Sequence, residues 1–161
     1  MKLSGDALLG EAGAGLPLLE LVLDEARAAL CAEALGVMSE LQRQTLDYAR
    51  QRKQFGRPLA DFQVLQHRMV DMFMAVEQSV SMAYMATLKL DLPVRERAKA
   101  VSAAKAYIGK ACRFVGQNAV QIHGGIALTE ELALSHYFKR ATMIESQLGS
   151  VDYHLGRYQS G

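Results

Sequence analysis

Proline is scarce in this chain: Pro17, Pro58 and Pro93 are its only three, and they leave long stretches in which nothing interrupts a helix. Cysteine is scarcer. Cys31 and Cys112 lie in apolar helical contexts with no CxxC spacing, so the expected state is buried and reduced and the expected compartment is cytoplasmic; a disulfide stays open at this point. An excess of one charge is also missing. A net charge of +1 argues against a nucleic-acid partner, where a basic surplus is expected. No apolar run approaches the ~20 residues a membrane span requires, and Lys2 is followed too soon by Gly5 and Asp6 for a signal-peptide pattern.

What is present is helical periodicity. At 161 residues, half of them apolar and 22% charged, the length suits one globular domain with a real core. Residues 1–15 differ from the rest: Gly5, Gly10, Gly13 and Gly15 punctuate a segment that reads as one strand and a turn. Apolar positions then recur at helical spacing over about 18–52, 61–90 and 94–123. Thr129, followed by Glu130 and Glu131, predicts the N-cap of a fourth helix ending near Gln147, and a short helix should follow Ser150. The fold class is therefore all-α: an antiparallel four-helix bundle with a short N-terminal extended segment and a short C-terminal helix. Helices of ~45 Å, rich in alanine, need more partners than one subunit supplies, which predicts an oligomer.

Five of the eight methionines fall between Met69 and Met85, a stripe that suits a core or a subunit interface better than a ligand surface. The four histidines are scattered, and without any Glu-x-x-His pair a di-iron bundle is excluded; no metal site is expected. Two polar clusters stand out against this background. Five basic residues crowd Arg43 to Arg57, against Asp47 alone; cations suit a helix C-terminus, but a guanidinium such as Arg52 also binds phosphate directionally. About seventy residues later, Gln121 precedes Gly124 and Gly125, which look like a helix C-cap open to close approach.

The two segments, in this order, resemble the C-terminal domain of the acyl-CoA dehydrogenase family. The hallmark Y-A-x-x-R-x-x-F-G-x-P-(I/L)-x-x-F-Q is matched by Tyr48-Ala49, Arg52, Phe55-Gly56, Pro58-Leu59 and Phe62-Gln63. The later Q-x-x-G-G-x-G is matched by Gln121 and Gly124-Gly125, with Ala127 in place of the last glycine. The resemblance implies that residues 1–15 end a middle β-domain and that 16–161 form the helical domain at a tetramer core. It implies FAD as cofactor and an acyl-CoA as substrate. Arg52 would bind the pyrophosphate of a neighbour's FAD with Gln54 and Phe55 beside it; Gln121, Gly124 and Gly125 would flank the adenosine half, and Ser150 and Asp152 would touch FAD after the catalytic loop.

The resemblance also exposes a gap. Many members carry the catalytic base as the Glu of an E-G-T-S loop, where this chain reads Leu148-Gly149-Ser150-Val151; others carry it before an arginine near the start of the first long helix, where this chain has Ala26 before Arg27. No catalytic residue is therefore assigned, with Glu25, Glu33 and Glu145 as reserve carboxylates. The wording from Phe138 to Glu145 is similar to subunits that pair with a base-bearing homologue in heteromeric tetramers, on bulky acyl-CoAs such as steroid side chains or dicarboxylic acids. The rival reading is a helical oligomerisation module that no longer binds flavin.

Overall fold

A computed structural model describes residues 5–8 and 10–160. Five α-helices dominate the described residues: α1 (Gly15–Gln51), α2 (Gln63–Leu88), α3 (Val94–His123), α4 (Leu134–Ser146) and α5 (Val151–Ser160). Among the described residues of the N-terminal segment there is no strand: Gly5–Ala7 form a single 3-10 turn, and the rest of the strand expectation falls partly on residues outside the described ones. A two-stranded hairpin, β1 (Lys53–Gln54) and β2 (Arg57–Pro58), joins α1 to α2.

The alanine-rich helix is the centre of the bundle. α3 packs against α1, α2, α4 and α5. Its small residues make this possible, because a Cβ at Gly116 would lie 3.0 Å from the Phe138 ring and one at Gly109 would lie 3.1 Å from Val151 Cγ2. Ala104, Ala111 and Ala119 continue the close-packed face, against Met38, Leu41, Met72 and Ile144. Met72 is fully buried, with Met69 and Met82 packed on the same core, so most of the methionine stripe fills space.

The fourth helix starts later than its acidic signal suggests. Thr129 donates its hydroxyl backward to the Ile126 carbonyl at 2.8 Å, ending a 3-10 segment over Gly124–Leu128, and regular helix resumes only at Leu134. Both cysteines are buried free thiols, and burial pushes them up to about 11 (Cys31) and about 12 (Cys112), so they stay protonated at neutral pH. Among the described residues no helix is long and apolar enough to cross a membrane.

Candidate functional site

Helix α1 ends where Arg52 turns to extended backbone (φ −73°, ψ 121°), its N–H returning to the Tyr48 carbonyl at 2.8 Å. The hairpin that follows turns through Phe55 (φ 54°) and Gly56 (φ 82°), both left-handed, as a two-residue type I′ connection requires. Phenylalanine is a costly residue for that conformation. It is nevertheless 91% exposed, held out at the tip by the Lys53↔Pro58 and Gln54↔Arg57 pairing. The Leu59 N–H bonds the Arg52 carbonyl at 2.8 Å and locks the base of the hairpin.

The five cations of this region are not equivalent. Arg43 is occupied by Glu40 and Asp47, and Arg57 lies over the Phe62 ring at 4.1 Å. Among the described residues the Arg50, Arg52 and Lys53 side chains have no ion pair or hydrogen bond and face solvent.

Helix α3 ends beside them. Gly124 takes φ 71° and ψ −150°, a region open essentially to glycine alone, and a Cβ at Gly124 or Gly125 would meet nothing within 4 Å, so this edge is bare. Gln121 is exposed one turn earlier. The two helix ends are joined directly: the Tyr48 ring stacks on His123 with centroids 4.3 Å apart, and the Tyr48 hydroxyl donates to the His123 carbonyl at 3.3 Å. Both ends present the negative pole of a helix dipole, so the backbone alone would repel an anion. The unpaired cations reverse that and make the bundle end receptive to a phosphate.

Ser150 and Asp152 lie elsewhere along α3, in a cavity of about 470 Å³ shared with Arg113, Gln117 and Glu145. Arg113, Gln117 and Gln121 stand four residues apart, so one stripe of α3 connects this cavity to the Gln121 edge. The Ser150 hydroxyl accepts the Tyr153 N–H at 3.3 Å and caps α5, while Asp152 is exposed in the first turn.

Before α5 the chain passes through a strained turn at Leu148 (φ 58°) and Gly149 (φ 117°). A Cβ on Gly149 would fall 2.5 Å from the Tyr153 ring and 2.7 Å from His154 Nε2, so glycine is obligatory. Buried donors hold the turn. Arg27 Nε and His154 Nε2 each bond the Leu148 carbonyl at 3.1 Å. The Lys105 ammonium, 1% exposed, donates to the carbonyls of Ile144 (2.9 Å), Glu145 (3.1 Å) and Gly149 (3.1 Å), spending all three of its protons at the end of α4.

Behind Arg27, Asp24 is fully buried and receives Arg27, Arg97 and Arg157 at 2.8–3.2 Å. Burial pushes the Asp24 carboxyl up, but hydrogen bonds from Arg157, Arg97 and Arg27 outweigh it and hold it below the usual carboxylate range. The sequence reading passed over this network. Its one visible trace is Asp24 and Arg27 at i, i+3, with Lys105 breaking an otherwise apolar stripe.

Residues 13–159 match the C-terminal domain of acyl-CoA dehydrogenases. The chain belongs to that family. It is 34% identical over 137 residues to the acyl-CoA dehydrogenase IpdE2 of Mycolicibacterium smegmatis, a match covering 85% of this chain and 42% of that protein. Butyryl-CoA dehydrogenase from Megasphaera elsdenii superimposes with a TM-score of 0.89 at 27% identity, over 98% of this chain and 41% of the other. A variant of the Tcur3481–Tcur3483 steroid ACAD superimposes with a TM-score of 0.84 at 31% identity, over 88% and 39%. The chain thus spans about two fifths of the length of the relatives it matches.

FAD is the cofactor of this acyl-CoA dehydrogenase family, and the bundle end suits it: an unpaired guanidinium, a glycine edge without side chains and an exposed amide lie together. Leu148 is a half-buried aliphatic and Ala26 a half-buried methyl, so neither offers a proton acceptor. The reserve carboxylates are mostly engaged. Glu33 is paired with Arg140 at 2.5 and 2.6 Å and held below its ordinary range by it, and Glu145 is clamped by Arg113. Glu25 is exposed on α1.

Proposed function

We propose that this chain completes the FAD site of a neighbouring acyl-CoA dehydrogenase subunit and forms part of the oligomer core, and that it brings no catalytic base of its own. The observation that carries the proposal is the juxtaposition of the unpaired Arg52 with the Gln121–Gly125 edge across the Tyr48–His123 contact. Arg52 supplies bidentate contact to a pyrophosphate, Gln54 and Phe55 flank it from the hairpin, and Gln121, Gly124 and Gly125 admit the adenosine half. Ser150 and Asp152 bound the nearby cavity, where the remaining hydroxyl acceptor and the carboxylate meet the polar side of the cofactor.

Bound flavin supplies the hydride acceptor for Cβ of an acyl-CoA thioester while a carboxylate takes the Cα proton. Arg27, His154 and Lys105 fix the backbone of the Leu148 turn, but the Leu148 side chain itself cannot take a proton. A homologous subunit with its own carboxylate would provide that step in a heteromeric tetramer; the steroid ACAD above is named as two chains, which supports this arrangement. Support for the oligomer comes from α2, which exposes Val70, Phe73 and Met74 while burying Met72 and Val76. An apolar cavity of about 420 Å³ lies beside them, between α1 and α2. Residues 1–15 then belong to a preceding β-domain, and the cytoplasm is the compartment.

The test is to isolate the assembly from its source cells and add acyl-CoAs anaerobically while recording subunit composition and flavin absorbance. A second homologous chain co-purifying with bleachable flavin is expected. A homo-oligomer that bleaches would place a base on this chain, and an assembly without flavin would leave only the oligomerisation module.

A further inference from the structure

His123 belongs to neither of the groups proposed to touch the flavin, yet it is the residue on which the two half-sites meet. Its ring is buried, and Nδ1 lies 2.8 Å from the Ala119 carbonyl, so Nδ1 carries a proton, while burial pushes the imidazole's pKa down and favours the neutral form. Its face is covered by Tyr48 at 4.3 Å with 26° between the planes. Its carbonyl, one of the last unpaired acceptors of α3, is capped by the Tyr48 hydroxyl.

The contact is placed where small shifts have consequences. Tyr48 stands one turn before Arg52 on α1, and the Arg52 N–H returns to the Tyr48 carbonyl. On α3, His123 sits directly before Gly124 and two residues after Gln121. The helices come close here because Ala49 and Ala119, both fully buried, add almost nothing between them. Displacing either ring therefore moves Arg52 and the Gln121–Gly124 edge relative to one another, while most of the core remains where it is.

We infer that Tyr48 and His123 are positioning residues: a stacked clasp that presets the spacing between Arg52 and the Gln121–Gly124 edge, so that the adenosine-diphosphate half of FAD meets both together. The inference rests on the flavin site proposed above. It adds a selectivity that the contact residues alone do not define, because FMN lacks the adenylate half and does not reach across the clasp.

The experiment compares FAD and FMN dissociation constants, by flavin fluorescence, in the complete flavin-binding assembly carrying His123→Leu, His123→Phe, Tyr48→Phe or Arg52→Ala. His123→Leu should weaken FAD by about tenfold, the scale of one lost aromatic stack, and leave FMN within about twofold. His123→Phe restores a stackable ring and should recover most of the FAD affinity; Tyr48→Phe keeps the stack, loses the hydroxyl bond and should fall between. Equal losses for FAD and FMN would mark a general destabilisation and overturn the inference, as would a His123→Phe protein as weak as His123→Leu. Loss of FAD in Arg52→Ala alone would leave the site intact and remove the clasp. If Arg52→Ala keeps the FAD-over-FMN preference of the parent, the underlying site reading fails instead.

Discussion

At the Arg52 end of the bundle, Arg50, Arg52 and Lys53 face solvent without partners among the described residues, whereas behind the Leu148 turn Arg27, Arg97, Arg157 and Lys105 are all matched inside the fold. The second region contains Arg27, Arg97, Arg157 and Lys105, four cations against those three, but Asp24 and five backbone-carbonyl contacts absorb them. The difference separates two uses of the same residue types. A desolvated cation must be matched within the chain, because burial without a partner costs several kcal/mol. An exposed one loses little by waiting, and can be matched by a ligand.

The comparison breaks most visibly at Asp24. Asp24→Ala leaves three buried or half-buried guanidiniums without their common carboxylate and should cost about 3–5 kcal/mol, read as a lower urea midpoint at pH 7. The native carboxyl binds its proton more weakly than an unfolded aspartate near 3.9. Its contribution is therefore complete above that value and is lost as pH falls through the lower folded value. Acid unfolding below about pH 4 should be less steep in the variant than in the parent.

His154 gives the next effect, in a different pH window. Burial, together with Arg27, Lys105 and Arg157 nearby, pushes it down to about 4, against a bond to the Leu148 carbonyl that favours the protonated form. The bond uses Nε2–H, and Nδ1 has no partner. An unfolded histidine gains its proton near pH 6.5 and the folded one does not, so stability falls as pH drops from about 6.5 to about 4, by on the order of 3 kcal/mol. His123, also pushed down by burial, adds with the same sign. Denaturation midpoints at pH 7, 5.5 and 4.5 check the slope; a flat profile would mean that His154 is reached by water.

Lys105→Met comes third. It preserves most of the buried stem and removes the donor shared by three carbonyls, an expected loss of about 2–3 kcal/mol. Hydrogen exchange should also show the end of α4 and the Leu148 turn opening before the centre of α3.

How much of this was legible in the sequence follows the same division. The boundaries of α3 were readable because Pro93 precedes it and Gly124 ends it, both local signals. The Arg52–Gly56 and Gln121–Gly125 segments were readable because exposed motifs keep their identity wherever they are placed. Thr129 misled because a threonine next to two acids offers a cap without revealing that its hydroxyl is already bonded backward to Ile126. Asp24, Lys105 and Arg157 were hidden as a network, since apart from the Asp24–Arg27 pair these contacts span 39 to 133 residues and helical periodicity does not say which charge is buried. Leu148 and Ala26 were noted for what they lack, while the buried donors that fix the turn could be seen only in three dimensions.

The smallest effect on stability belongs to Arg52→Ala, and its smallness sharpens the contrast. The side chain has no partner among the described residues and touches no core. What it gives the fold is a cation at the C-terminus of α1, worth about 0.3–1 kcal/mol and screened by salt. The loss should therefore shrink further at high ionic strength and leave the urea m-value unchanged. Flavin retention by the complete assembly should move in the opposite proportion: a large loss of FAD from a variant that unfolds almost like the parent. A variant that lost stability on the scale of Asp24→Ala while keeping its flavin would show the reverse, that Arg52 serves the bundle and that the apparent idleness of this end is no sign of a ligand.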